Sequence, residues 1–123
     1  MAPKLRPTSV AVVVKDRKKA LKWYTRALEL KVLEDHGHWV VVGSKRSGMA
    51  LHLCQPSDYD PNAKLEKGNT GIMFRTGRGM TRTYERMKKN GVKFTHPPEK
   101  VEWGWYCTFQ DPDGNEFWLT PEE

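Results

Sequence analysis

The sequence predicts an α+β domain made of two tandem βαβββ modules. Three observations predict it. Hydrophobic periodicity runs strand, helix, strand, strand, strand, and then starts again. The two runs overlay at a constant spacing of 62 residues: Ser9 falls on Gly71, Val12 on Phe74, Leu30 on Val92 and Val32 on Phe94. A stretch rich in Pro, Asp, Asn and Lys, Gln55 to Gly68, separates them. At 123 residues a single domain is expected, 1–123, with module one at about 7–55, a linker at about 56–68 and module two at about 69–121. A period this long excludes a solenoid repeat and points to a duplicated module whose halves share one domain.

Each element has a local cause. Ser9 to Val14 is β-branched and reads as a strand. Asp16 is a helix-capping residue type. Ala20, Leu21, Tyr24, Ala27 and Leu28 then recur at helical spacing between Lys18 and Leu28. Lys31 to Glu34 and Trp39 to Gly43 are strands around a turn at His36 and Gly37, and Met49 to Cys54 is a fourth strand. After the linker, Gly71 to Thr76 is a strand and Met80 to Lys89 a helix stopped by Asn90-Gly91. Val92 to Thr95 is a strand halted by Pro97-Pro98. Trp103 to Gln110 and Glu116 to Thr120 form a hairpin across Asp111-Pro112-Asp113-Gly114-Asn115, residue types that supply the φ values of a tight turn.

The formal charge is +6, from 21 basic and 15 acidic side chains, which favours anionic partners. The basic residues are dispersed over Lys15 to Lys22, Lys45 and Arg46, Arg75 to Arg86, and Lys88 and Lys89. No helix-turn-helix, zinc-finger or aromatic RNA motif accompanies them, so no nucleic-acid partner is expected. No apolar run reaches membrane length and MAPKLRPTS lacks the apolar centre of a signal peptide, so a cytoplasmic protein with no membrane partner is expected. Cys54 and Cys107 have no metal or redox spacing and are expected as reduced thiols. No GxSxG, Walker, dinucleotide-binding or HExxH motif occurs.

Three stretches carry a family resemblance: VVVKDRKKALKWYTRALEL, NGVKF and EWGWYCTFQDPDGNEFWL. With the duplication, they resemble the vicinal oxygen chelate superfamily, which includes glyoxalases, epimerases, extradiol dioxygenases, fosfomycin-modifying enzymes and bleomycin-resistance proteins. The resemblance implies that the modules form one cup-shaped mixed sheet with the helices outside. It also implies a homodimer, with the N-terminal arm or the Trp-rich strands as its interface. One departure is Glu29, where the family commonly has glycine. The enzymes usually hold a divalent metal on His, Glu or Gln of the first and fourth strands of each module.

Strand parity allows that expectation to be checked, because alternate residues face opposite sides. Each of the four strands concerned has one apolar face and one mixed face. The resemblance places the ligand positions on the mixed face, at Ser9, His52, Gly71 and Trp118. Of these only His52 is a strong donor; a catalytic divalent site needs about three protein ligands. No metal and no cofactor are therefore expected. His52 reads either as a ligand contact or as a histidine hydrogen-bonded within the fold. His36, His38 and His96 lie by turns or at a strand end, where exposure is expected.

What remains is aromatic. Trp39, Trp103, Trp105, Tyr106 and Trp118 suit flat or apolar ligands. Trp118, His52, Tyr106, Ser9, Met73, Glu116 and Arg75 are the expected ligand-binding residues. Arg75 reads equally as an anion contact or as an ion pair with Glu116. The expected function is metal-independent binding of a small apolar, aromatic or anionic molecule, of the glyoxalase/bleomycin-resistance type. The alternative is a lyase, isomerase or dioxygenase with an atypical metal site, or a metal-free one using His52 or Tyr106. A third is an interaction module whose cup is plugged by Trp118.

Overall fold

A computed structural model describes residues 3–45, 48–65, 68–77 and 79–121; Arg46 of the expected basic pair lies outside them. The chain runs β1 (Ser9–Val13), α1 (Arg17–Arg26), β2 (Lys31–Asp35), β3 (Val40–Gly43), β4 (Ala50–Cys54), β5 (Gly68–Thr76), α2 (Met80–Lys89), β6 (Lys93–Val101), β7 (Gly104–Gln110) and β8 (Asn115–Pro121). The α+β duplication is present. The two sheets share one topology, in the orders β1-β4-β3-β2 and β5-β8-β7-β6. In each, the first strand pairs parallel with the fourth, and the other pairs are antiparallel. The eight strands thus form two four-stranded sheets, not one closed cup. Among the described residues no helix is long and apolar enough to cross a membrane.

The helices start and stop for local reasons. Asp16 sits in the extended region and its carboxylate accepts from the Lys19 amide at 3.1 Å. Ala20, Tyr24 and Ala27 are buried, at helical spacing. At its end Glu29 takes the left-handed φ of 56°, and the Leu30 amide donates back to the Tyr24 carbonyl at 3.2 Å. Glycine suits that backbone better than glutamate. The structure shows what the glutamate does. The Arg86 guanidinium donates to both Glu29 oxygens, at 2.5 and 2.6 Å, and the Asn90 amide donates to Glu29 at 3.1 Å. Asn90 also donates to the Ala27 carbonyl at 3.0 Å. The ends of α1 and α2 are thereby tied across the duplication.

One apolar core spans both modules. It takes Val12, Val14, Leu51 and Leu53 from the first and Phe109, Phe117 and Leu119 from the second. A polar network joins the halves inside it. The Tyr24 hydroxyl donates to Asp111 Oδ2 at 2.5 Å, and the Asn115 amide side chain donates both to Asp111 Oδ2 and to the Val13 carbonyl, each at 2.8 Å. The other Asp111 oxygen accepts from the Asn115 and Asp113 backbone amides at 2.8 and 2.9 Å. Burial, reinforced by the Asp111 carboxylate, holds the Tyr24 phenol far above its ordinary pKa, so it stays a donor.

One expectation is corrected. Pro97-Pro98 does not halt the strand after α2: β6 runs through both prolines to Val101. Two features make this tolerable. β6 is the outer strand of its sheet, and its register slips by one residue between His96 and Glu99, which oppose Thr108 and Tyr106. A bulge at an edge is where missing amide donors are least costly.

Tyr24→Phe is expected to lower unfolding stability by about 1–3 kcal/mol, since it leaves a buried carboxylate short of a donor. Urea denaturation with an unchanged slope checks this. The Arg86 guanidinium, then Asn90, lowers the Glu29 pKa, so this contribution to stability is present above the ordinary 4.5 and is lost as pH falls below it. Glu29→Gln should therefore melt at a lower temperature than the parent at pH 7, the gap closing in acid; a gap that persists in strong acid would contradict the pairing.

Candidate functional site

The site is built on sheet faces turned away from the core. In module two, Phe74, Phe109, Phe117 and Leu119 point inward, so Met73, Arg75, Tyr106, Thr108, Glu116, Trp118 and Thr120 occupy the opposite face. Register sets them in rows. Trp118 lies between Met73 of β5 and Thr108 of β7, and Arg75 is beside Thr120. Aromatic rings then meet across the strands. Tyr106 is 5.2 Å from Trp118 and 5.5 Å from Trp103, centroid to centroid, and His96 stacks on Tyr106 at 5.0 Å with 4° between planes. The Trp118 indole donates to Asn69 at 3.2 Å, which fixes its ring.

The end of this face opens into a cavity of about 680 Å³ lined by Met73, Arg75, Trp103, Gly104, Trp105 and Thr120. Trp103 and Trp105 are 57% and 45% exposed. Trp118 does not plug this space; it stacks beside Tyr106, two residues along β8 from Thr120.

Module one carries its own smaller face. His52 lies beside Ala11 and Val41 in register, and its ring stacks on Trp39 at 4.0 Å. Ser9 is opposite Ala50 and lines a separate cavity of about 210 Å³ with Leu33, Glu34, Trp39, Val41 and Met49. The expected site residues are therefore brought together in two groups. Met73, Arg75, Tyr106, Glu116 and Trp118 share one sheet, and Ser9 and His52 share the other.

The donor set at the four family ligand positions does not fit a divalent metal. Gly71 has no side chain, the Trp118 N–H is a donor already used, and Ser9 is not the register partner of His52. Among the described residues no three His, Cys, Asp or Glu side chains converge in metal-binding geometry.

The Arg75–Glu116 ion pair does not form. Arg75 is level with Thr120, and Glu116 is four residues back, about 13 Å along the strand. Tyr106 is not a base in waiting. Desolvation first, then the Glu99 carboxylate, raises its pKa, and its hydroxyl donates to Glu99 at 3.3 Å. Cys54 and Cys107 are unpaired, and burial pushes the Cys107 thiol up to about 12.

Two residues of the site escape the sequence reading. His96 is half-buried rather than exposed, held between Tyr106 and Glu99, whose carboxylate is 2.8 Å from His96 Nε2. Glu99 itself goes unnoticed because the strand is taken to end at the prolines. The usable signal is His96-x-x-Glu99 flanking Pro97-Pro98.

A family model for the glyoxalase/bleomycin resistance protein/dioxygenase superfamily matches residues 6–119. The chain belongs to this superfamily. The protein YetH of Bacillus subtilis is 33% identical over 119 residues, covering 90% of this chain and 93% of YetH. A crystal structure of a superfamily member from Sphaerobacter thermophilus is 33% identical with a TM-score of 0.82, over 97% of this chain and 98% of that one. The antibiotic binding protein TnmS3 from a Streptomyces species shares the fold at 24% identity and a TM-score of 0.81, over the whole of both chains.

Ultraviolet titration of the tyrosines checks the Glu99 contact. Glu99 raises the Tyr106 pKa, so in Glu99→Gln one tyrosine should ionise at lower pH than in the parent. An unchanged curve would remove the contact.

Proposed function

We propose that this superfamily member is a metal-independent small-molecule-binding protein that sequesters an apolar, aromatic or anionic ligand. The observation that carries the reading is the cavity of about 680 Å³ walled by the exposed Trp103 and Trp105, with Trp103 in ring contact with Tyr106 and so with Trp118. Large aromatic surfaces left open beside a concave space are what flat ligands cover. The lack of a three-donor set at the family positions supports binding over metal-assisted chemistry. That TnmS3, described as an antibiotic binding protein, has the same fold agrees with it. Trp118, Tyr106, Met73, Arg75 and Glu116 form the larger ligand face, and Ser9 and His52 the smaller. The functional unit is a homodimer located in the cytoplasm, with the N-terminal arm, where Leu5 is 86% exposed, contributing to the interface.

Equilibrium titration of the purified protein with flat aromatic compounds, followed by tryptophan quenching, tests this. Quenching should saturate, and Trp103→Ala or Trp118→Ala should weaken binding by about threefold to tenfold, the worth of one aromatic stack. Dialysis against a chelator should leave affinity unchanged. Loss of binding on chelation, with a stoichiometric metal released and none bound by His52→Ala, would establish the enzyme-like reading instead. Sedimentation equilibrium should give twice the chain mass.

A further inference from the structure

Arg75 is the feature of this cavity that the binding reading leaves unspecified. It is exposed on the face of β5, two residues from Met73. Among the described residues it makes no ion pair, while Arg17 and Arg86 are each engaged by a carboxylate. Among the described residues, neither acid of its own sheet face pairs with it. Glu99 is held by His96 and Tyr106, and Glu116 lies near the far end of β8. Among the described residues the cavity it lines has no lysine and no second arginine, and its other walls are Trp103, Trp105, Met73, Thr120, Pro121 and Gly104.

We infer that Arg75 anchors the acidic group of a planar aromatic carboxylate whose rings lie against Trp103, Trp105 and Met73. This rests on the small-molecule-binding reading above and narrows it. A guanidinium presents two parallel N–H donors that match the two oxygens of a carboxylate. One such fork suits a singly charged carboxylate better than a phosphate dianion, which is commonly met by several cations or a row of backbone amides. Met73 is 48% exposed, and its flexible thioether adapts to a flat ring. The overall charge of +6 draws an anion toward the protein. Among the described residues the lining offers a cationic ligand no carboxylate.

Matched probes test the inference. 2-Naphthoate and 2-naphthamide share a ring system and differ in charge, as do anthraquinone-2-carboxylate and its amide. Dissociation constants from ligand-observed NMR should favour each acid over its amide by about tenfold or more, the scale of a charge-assisted fork. Arg75→Gln should abolish that preference, and Arg75→Lys, which keeps the charge and loses the fork, should restore part of it. Circular dichroism verifies that both variants are folded. Acid and amide binding equally to the parent, or a preference that survives Arg75→Gln, would overturn the anchor and leave the small-molecule reading standing. Failure of all four probes to bind the parent would overturn both.

Discussion

The buried carboxylate of Asp111 is the constraint on which the arrangement rests. It sits at the turn between β7 and β8 and accepts from Tyr24 of α1, from the side chain and backbone of Asn115, and from Asp113. Asn115 passes the link on to β1 through the Val13 carbonyl. An ionised carboxylate in an apolar core is tolerable only when its lone pairs are filled. The residues that fill them come from both modules. The turn therefore works as a joint as well as a chain reversal. Loss of any one of these donors would leave the carboxylate short of a partner in a poor solvent, so the two halves have one favoured seating.

The joint has a consequence for the site. Because the core is shared, the inward residues of β5, β7 and β8 are committed to packing against both halves. Their neighbours must then face the other way. Trp118 is set between two core residues, Phe117 and Leu119, and that alternation alone turns its ring to the open side. The aromatic face is thus a by-product of core geometry, onto which Arg75 and the two rim tryptophans add chemistry.

Much of this is legible in the residues. The duplication, both helices and the split between packed and open strand faces follow from period-two and helical patterns, which report burial directly. The end of α2 at Asn90-Gly91 and the cap at Asp16 follow from backbone chemistry. What is not legible depends on tertiary position. Pro97-Pro98 reads as a break because nothing local says that the strand lies at an edge with a bulge. His96 and Glu99 are hidden with it. The role of Glu29 is invisible as well, since its partner Arg86 is 57 residues away. That Ser9 and His52 lie on a different sheet from the Trp118 group is a matter of strand pairing, which strand parity does not encode.

The continuation of β6 through two prolines also bears on how copies of this chain can meet. An outermost strand with a full row of free amides is a template on which another molecule can extend the sheet. Proline removes those amides, and the extra residue bends the ribbon away. At the opposite margin of the other sheet, β2 presents Lys31, Glu34 and Asp35 to solvent. Strand-by-strand growth is thus discouraged at these two of the four sheet edges, β6 most directly.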